Sequence, residues 1–299
     1  MSAMLAPDAR DRYPSRRATE AALLTREDPV VHGSSVDGPL DAAQLAAFEQ
    51  DGFLQLDGVF SGDEVAAMRA ELRRMTDDPE IRADERTVVE RNSNEVRSIF
   101  EVQAVSPLLD KVVTDTRVAD VARQILGSDV YLHQTRINHK PGFDGKEFDW
   151  HSDFETWHVE DGMPSPRALS ASIALTDNFE QNGPLLIMPG SHHTYVACVG
   201  QTPEDHYQAS LVQQEIGVPD RTSLSILADR HGIASCTGKA GSVVFFDSNC
   251  MHGSNGNITP YPRSNVFAVF NSLHNALQAP FGAPKPRPGF IANGHPVAI

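Results

Sequence analysis

A chain of 299 residues with 40% hydrophobic content has room for one large domain or two small ones and enough apolar material for its own core. Its 25 basic residues stand against 40 acidic ones, a formal charge of -15 that argues against a nucleic-acid-binding role, where a basic footprint is expected. The opening MSAMLAPDARDRYPSRR lacks an apolar run of signal-peptide length, and no later stretch reaches the roughly 18 apolar residues of a membrane span. The expected location is therefore the cytoplasm. Cys198, Cys236 and Cys250 are too widely spaced for a disulfide framework or a Cys-x-x-Cys zinc site, and read as reduced, mostly buried thiols.

In chain order, residues 1–38 are polar with scattered Pro and Gly and read as an extended arm over a core. The rest, 39–299, reads as one domain: helical support over about 39–128, a β core over about 129–275 and a tail over 276–299. Asp41 can cap AAQLAAFEQ with Gly52 as its stop, and Ser61 with Glu64 forms a capping box ahead of Val65, Met68, Leu72 and Met75 at helical spacing. SPLLDKVV starts on Ser106 and Pro107, and RVADVARQIL stops at Gly127. From Asp129 the pattern changes to short strands, VYLHQTRIN, ALSASIALT, PLLIM, IASC, SVVFFD and SNVFAVFNS. Helices followed by many short strands predict a mainly β sandwich or barrel resting on N-terminal helices. A connection of about Thr194 to Arg230 interrupts the strands and is long enough to be a lid.

The stretch FDWHSDFETW, Phe148–Trp157, carries both tryptophans and the chain's His-x-Asp, His151 and Asp153. On a strand these two side chains point the same way, toward one ion. His252, just after SVVFFD, is the best third ligand, and two histidines with one carboxylate form the facial triad of non-haem Fe(II) oxygenases. With 12 histidines in the chain, however, one chance His-x-Asp is expected; His158-x-Glu160 and the adjacent His192 and His193 are competing candidates of the same chemistry. If the ion is iron, 2-oxoglutarate can supply the electrons that O2 activation needs, and its distal carboxylate requires a cation. Arg263, eleven residues beyond His252, offers a bidentate fork and Ser254 a hydroxyl; the other reading of Arg263 is a surface arginine after a loop. Gln134, Arg136, Asn138 and Lys140 alternate onto one face of their strand, which is either solvated or the polar lining of a ligand cavity, with Lys140 as a second carboxylate partner. Trp157 can be core or a face for a cation, whereas Trp150 reads as packing.

The runs VYLHQTRINHKPGFDGKEFDWHSDFETWHVEDGMP, NGPLLIMPGSH and CMHGSNGNITPYPRSNVFAVFNS resemble the ectoine hydroxylases, a group within the phytanoyl-CoA-dioxygenase-like Fe(II)/2-oxoglutarate enzymes. The likeness extends from DRYPSR to PRPGFIA, nearly the whole chain, and is weaker in FIANGHPVAI and DPVVHGSS. It implies a double-stranded β-helix (jelly roll, cupin-like) and oxidation of ectoine, a small zwitterion, to 5-hydroxyectoine, with O2 consumed and succinate and CO2 released. By position it makes His151, Asp153 and His252 the iron ligands, Lys140, Ser254 and Arg263 the 2-oxoglutarate contacts, and Gln134, Trp157, Phe246, Phe267 and Arg287 the substrate contacts. It further implies a homodimer and a part in osmotic and heat stress through a compatible solute. The presence of Asp153 favours hydroxylation over halogenation, in which a halide takes the place of the carboxylate. Two other readings are a hydroxylase of another small amino-acid-like substrate such as proline, and a cupin-like zinc-binding protein.

Overall fold

In a computed structural model describing residues 11–16, 19–90, 93–210 and 216–299, the strands run as β1 (Ala22–Thr25), β2 (Phe53–Leu56), β3 (Thr87–Val89), β4 (Val96–Phe100), β5 (Val130–Lys140), β6 (Phe148–His151), β7 (Ala168–Ala174), β8 (Leu185–Ile187), β9 (Thr194–Ala197), β10 (Ala234–Cys236), β11 (Val243–Asp247), β12 (His252–Ser254) and β13 (Arg263–Ser272). They form a seven-stranded sheet ordered β2-β11-β7-β13-β5-β4-β3, a four-stranded sheet ordered β10-β8-β12-β6, and the pair β1-β9. Every pairing between them is antiparallel.

Two-residue alternation gives the large sheet two different faces. Val266, Ala268 and Phe270 of β13, with Leu169, Ala171 and Ile173 of β7, pack outward onto helical residues that include Phe48, Met68 and Val118. Val244 and Phe246 of β11 and Phe267 of β13 point the other way and meet Leu185, Ile187 and Cys236 of the four-stranded sheet. Wholly buried side chains such as Phe245 and Phe270 each contribute about 1.5–3 kcal/mol by leaving water. Helices thus close one side of the large sheet and a second sheet closes the other, which makes the core a double-stranded β-helix.

The helices begin and end where their local chemistry dictates. Asp41 and Gln44 cap Ala42–Asp51 reciprocally, as Ser61 and Glu64 cap Gly62–Asp77. Gly52, at φ 77°, ends the first helix; a Cβ there would lie 2.3 Å from His192 Nδ1. The stretch that reads as helical support also holds β2, β3 and β4, which form both edges of the large sheet. At three to five residues, these strands are too short for apolar alternation to mark them.

The arm and the long connection hold each other. β1 pairs with β9 from Ala22↔Ala197 to Thr25↔Thr194. The connection then carries the helices Tyr207–Ser210 and Arg221–His231, and Leu227 of the second packs against Met188, Val196 and Met251. Residues 1–10 and 17–18 of the expected arm and 211–215 of the expected lid lie outside the described residues.

Candidate metal centre and adjoining cavity

His151 closes β6, Ser152 stays extended at φ -107° and ψ 127°, and Asp153 begins the helix Asp153–Thr156. The single strand expected through His-x-Asp is therefore broken, because Asp153 and Glu155 suit a helix's first turn. Since Ser152 is extended, the two ligand side chains still leave on the same side. His252 opens β12, which pairs with β6 in a register that puts His252 opposite His151. Their rings lie 4.2 Å apart. Nε2 of His151 is 3.6 Å from Asp153 Oδ1, and Nε2 of His252 is 3.8 Å from Oδ2. All the candidate ligand atoms fall within 4.8 Å of one another, the one such group of three among the described residues.

Backbone carbonyls orient both rings. Nδ1 of His151 lies 2.7 Å from the Asp149 carbonyl and Nδ1 of His252 3.0 Å from that of Cys250. A carbonyl only accepts, so each proton sits on Nδ1 and each Nε2 presents its lone pair to the site. Burial pushes the His252 pKa down to about 4, keeping that imidazole neutral. Burial by itself would raise the Asp153 carboxyl, but His252, His151 and Arg136 outweigh it and hold the group well below the usual carboxylate range. Two histidines and a carboxylate on one face suit Fe(II) with three positions left open.

The competing histidines are engaged elsewhere. His158 stacks on Phe281 with centroids 4.0 Å apart, and its ring nitrogens meet Met163 O and Asp11 Oδ1. His192 and His193 each place Nε2 3.1 Å from the Glu49 carbonyl. Trp150 packs with the Leu227 cluster.

Lys140 and Arg263 form a buried basic pair, with Lys140 reaching Ser254 of β12, the strand that His252 opens. Arg263 opens β13 directly opposite Lys140, which ends β5, so both side chains leave the same face. Lys140 Nζ donates to Ser254 Oγ at 2.8 Å, while Arg263 Nε and Nη2 find no hydrogen-bond partner among the described residues. Buried donors are nearly always satisfied. An arginine with orphaned donors beside a lysine and a hydroxyl therefore fits a carboxylate ligand.

Desolvation first, and then Arg263, pushes Lys140 down to about 6. Folded Lys140 therefore binds fewer protons than unfolded Lys140 between about pH 6 and 10.5, so its share of the stability rises with pH across that window. Denaturant melts of the ligand-free protein and of Lys140→Met should show the variant's advantage shrinking as pH rises from 6.5 toward 9. A constant gap would remove Lys140 as the titrating group.

A cavity of about 370 Å³ opens beside the triad, lined by His151, Asp153, Trp157, Gln134, Arg136 and Arg287 among others. Gln134, Arg136 and Asn138 thus turn the polar face of β5 toward the cavity and not toward bulk water, and Lys140 is buried beneath them. Gln134 donates to the Ile291 carbonyl at 2.7 Å and accepts from Arg136 Nη1 at 2.6 Å. Trp157 is buried beside Phe154 and Met163 and meets His133 edge-on. Arg287 forks onto Asp161 through Nε at 2.7 Å and Nη2 at 2.5 Å. Phe246 meets the His252 ring at 4.8 Å, and Phe267 lies under the Arg136 guanidinium at 5.1 Å; neither ring is on the cavity wall itself.

Three groups at this site carry no assignment from sequence. Arg136 is a half-buried guanidinium whose charge acts on Asp153, and its alternation along β5 was the available signal. Ser170 reaches to 3.4 Å of Asp153 Oδ2, and Asp161 holds Arg287 across 126 positions of chain; no local pattern marks either contact.

A jelly-roll core presenting two histidines and a carboxylate, with a buried lysine–arginine pair on the adjoining strands, defines a non-haem Fe(II)/2-oxoglutarate oxygenase. Residues 48–265 match the family model of phytanoyl-CoA dioxygenase. An ectoine dioxygenase of Bordetella bronchiseptica is 58% identical over 97% of this chain and 94% of its own length. The crystal structure of EctD from S. alaskensis with 2-oxoglutarate and 5-hydroxyectoine has a TM-score of 0.88 at 51% identity, covering 96% of both chains. The same enzyme with bound Fe has a TM-score of 0.86 at 50% identity, again covering 96% of both. The chain belongs to the phytanoyl-CoA dioxygenase family and, within it, to the ectoine dioxygenases.

Proposed function

We propose that this chain hydroxylates ectoine to 5-hydroxyectoine with Fe(II), 2-oxoglutarate and O2, releasing succinate and CO2. The observation that carries the reading is one cavity lined by His151 and Asp153 of the His151–Asp153–His252 group together with Trp157, Gln134 and Arg287. EctD from S. alaskensis, whose crystals hold 2-oxoglutarate and 5-hydroxyectoine, supports it at 51% identity.

His151, Asp153 and His252 would hold the iron through Nε2, a carboxylate oxygen and Nε2. Fe(II) chelated by 2-oxoglutarate supplies the O2 activation that puts one oxygen atom on the substrate carbon and the other in succinate. Arg263, Lys140 and Ser254 bind the distal carboxylate and so fix the orientation of the co-substrate. Trp157 offers its face to the delocalised amidinium of ectoine, while Gln134 and Arg287 bind its polar edge and carboxylate. Phe246 and Phe267 are the apolar backing that keeps the histidine and arginine side chains dry. A homodimer, a cytoplasmic location and a part in the osmotic stress response complete the proposal. No helix among the described residues is long and apolar enough to cross a membrane.

The test is an aerobic assay with Fe(II) and 2-oxoglutarate, comparing ectoine with proline and measuring succinate and hydroxylated product together. Ectoine should give the two in equal amounts. Succinate formation that is independent of ectoine, or stimulated more by proline, would sink the assignment.

A further inference from the structure

The arm motif DRYPSR, Asp11–Arg16, has no part in the function described so far, yet it ends on a buried charge. The Arg16 side chain is 0% exposed, and its backbone sits at φ 56°, a region sparsely populated by non-glycine residues and often retained for function. Its guanidinium forks onto Glu155, with Nε 3.0 Å from Oε1 and Nη2 2.7 Å from Oε2, while Nη1 reaches Glu160 Oε1 at 2.5 Å. Ser15 Oγ adds a bond to Glu155 Oε1 at 2.5 Å and accepts from the Cys198 amide at 2.9 Å. His206 Nδ1 lies 3.0 Å from Glu160 Oε1. Gly217, at φ 78°, passes so close that a Cβ there would fall 2.2 Å from Arg16 Nη2.

These acids sit at telling positions. Glu155 is two residues before Trp157 and Glu160 three after it, and the π-helix Trp157–Asp161 starts between the two acids and contains Glu160. Such a helix is rare and frequently marks a functional site. Glu160 also lines the cavity, and with Arg287 it borders a second cavity of about 260 Å³. Asp153, by contrast, is anchored from its other side. The Phe154 amide donates to the Ser248 carbonyl at 2.8 Å, and Ser152 Oγ to Asn249 Oδ1 at 3.0 Å.

From this geometry we infer that Arg16 is a positioning residue for the substrate: gripping Glu155 and Glu160, it holds Trp157 and the cavity wall in register, while the iron ligands are held independently. The inference rests on the ectoine reading. Arg16→Met removes fork and charge; Arg16→Lys keeps the charge without the fork. Both are compared with the wild-type enzyme, loaded anaerobically with Fe(II) and 2-oxoglutarate, by iron stoichiometry, by the visible absorption of the iron–oxoacid chelate and by calorimetric titration with ectoine. Aerobic KM, kcat and the succinate-to-hydroxyectoine ratio follow. In Arg16→Met the ectoine Kd and KM should rise about tenfold or more and the product ratio should exceed one, because small misplacements at a reacting centre are costly. Iron and 2-oxoglutarate binding should stay within about twofold of wild type, and Arg16→Lys should fall between the two. Unchanged ectoine affinity and coupling overturn the inference, as does a parallel loss of iron, 2-oxoglutarate and ectoine binding. Should Arg16→Met fail to fold, Arg16→Lys decides by the same criteria. Wild-type protein that binds no ectoine overturns the functional reading itself; wild-type binding matched by both variants removes only the role of Arg16.

Discussion

Asp153→Ala is expected to lower hydroxyectoine formation by on the order of a thousandfold or more while the protein stays folded, because a metal-bound enzyme site that loses its one anionic ligand loses both affinity and geometry. Asp153 is buried, accepts a hydrogen bond from Ser170 Oγ at 3.4 Å, and lies 3.6 and 3.8 Å from the two histidines. Its folded pKa is depressed, so the ionised group contributes stability above the usual carboxylate pKa and loses it as pH falls through the depressed value. Near neutrality the alanine variant should therefore melt somewhat below wild type in the absence of metal, without losing its circular dichroism. Product chromatography and metal analysis on the same sample check the result. An alanine variant that retains one iron per chain and near-wild-type turnover would remove Asp153 from the ligand set.

Much of the site's scaffold could be read from local chemistry. Capping residues mark the helices because a cap acts within three or four residues of chain, and Ser61 with Glu64 shows this directly. The strands β5, β7 and β13 are visible because each has seven or more residues of apolar or alternating pattern, and the five-residue β11 because VVFF is an unbroken apolar run. His151 and Asp153 are legible as a pair, but their coupling to His252 depends on the β6–β12 register, which joins positions about a hundred residues apart. Trp157 defeats a choice between core and site because it is both, packed beside Phe154 and Met163 on one side and lining the cavity on the other. The Arg16–Glu155–Glu160 cluster and the Arg287–Asp161 fork lie beyond pattern reading altogether. Charged residues in a sequence are ordinarily solvated, and only the fold shows that these are buried and paired.

Arg263→Met is expected to raise the KM for 2-oxoglutarate by about a hundredfold or more, the scale set by losing a charge-assisted bidentate pair in a dry site. The same change should make the ligand-free protein more stable. Arg263 is 4% exposed, desolvation pushes its pKa down to about 10, and two of its donors are unpartnered among the described residues. Lys140 faces it from the neighbouring strand, and the charge of Arg263 adds to desolvation in pushing the Lys140 ammonium down. Each buried unsatisfied donor costs about 1–3 kcal/mol, and methionine fills similar volume with none. A gain of about 1–3 kcal/mol, or a few degrees in Tm for a domain of this size, is therefore expected on substitution. Adding 2-oxoglutarate with an inert divalent metal should reverse the order, since a ligand at a hundred times its Kd adds about 2.7 kcal/mol to the protein that binds it. Thermal melts of both proteins with and without the ligand test the two signs together. If the variant melts lower without ligand and is still raised by 2-oxoglutarate as wild type is, the carboxylate is held elsewhere. The crossed outcome would mean that stability is given up at Arg263 so that a buried, charged seat already stands formed when the co-substrate arrives.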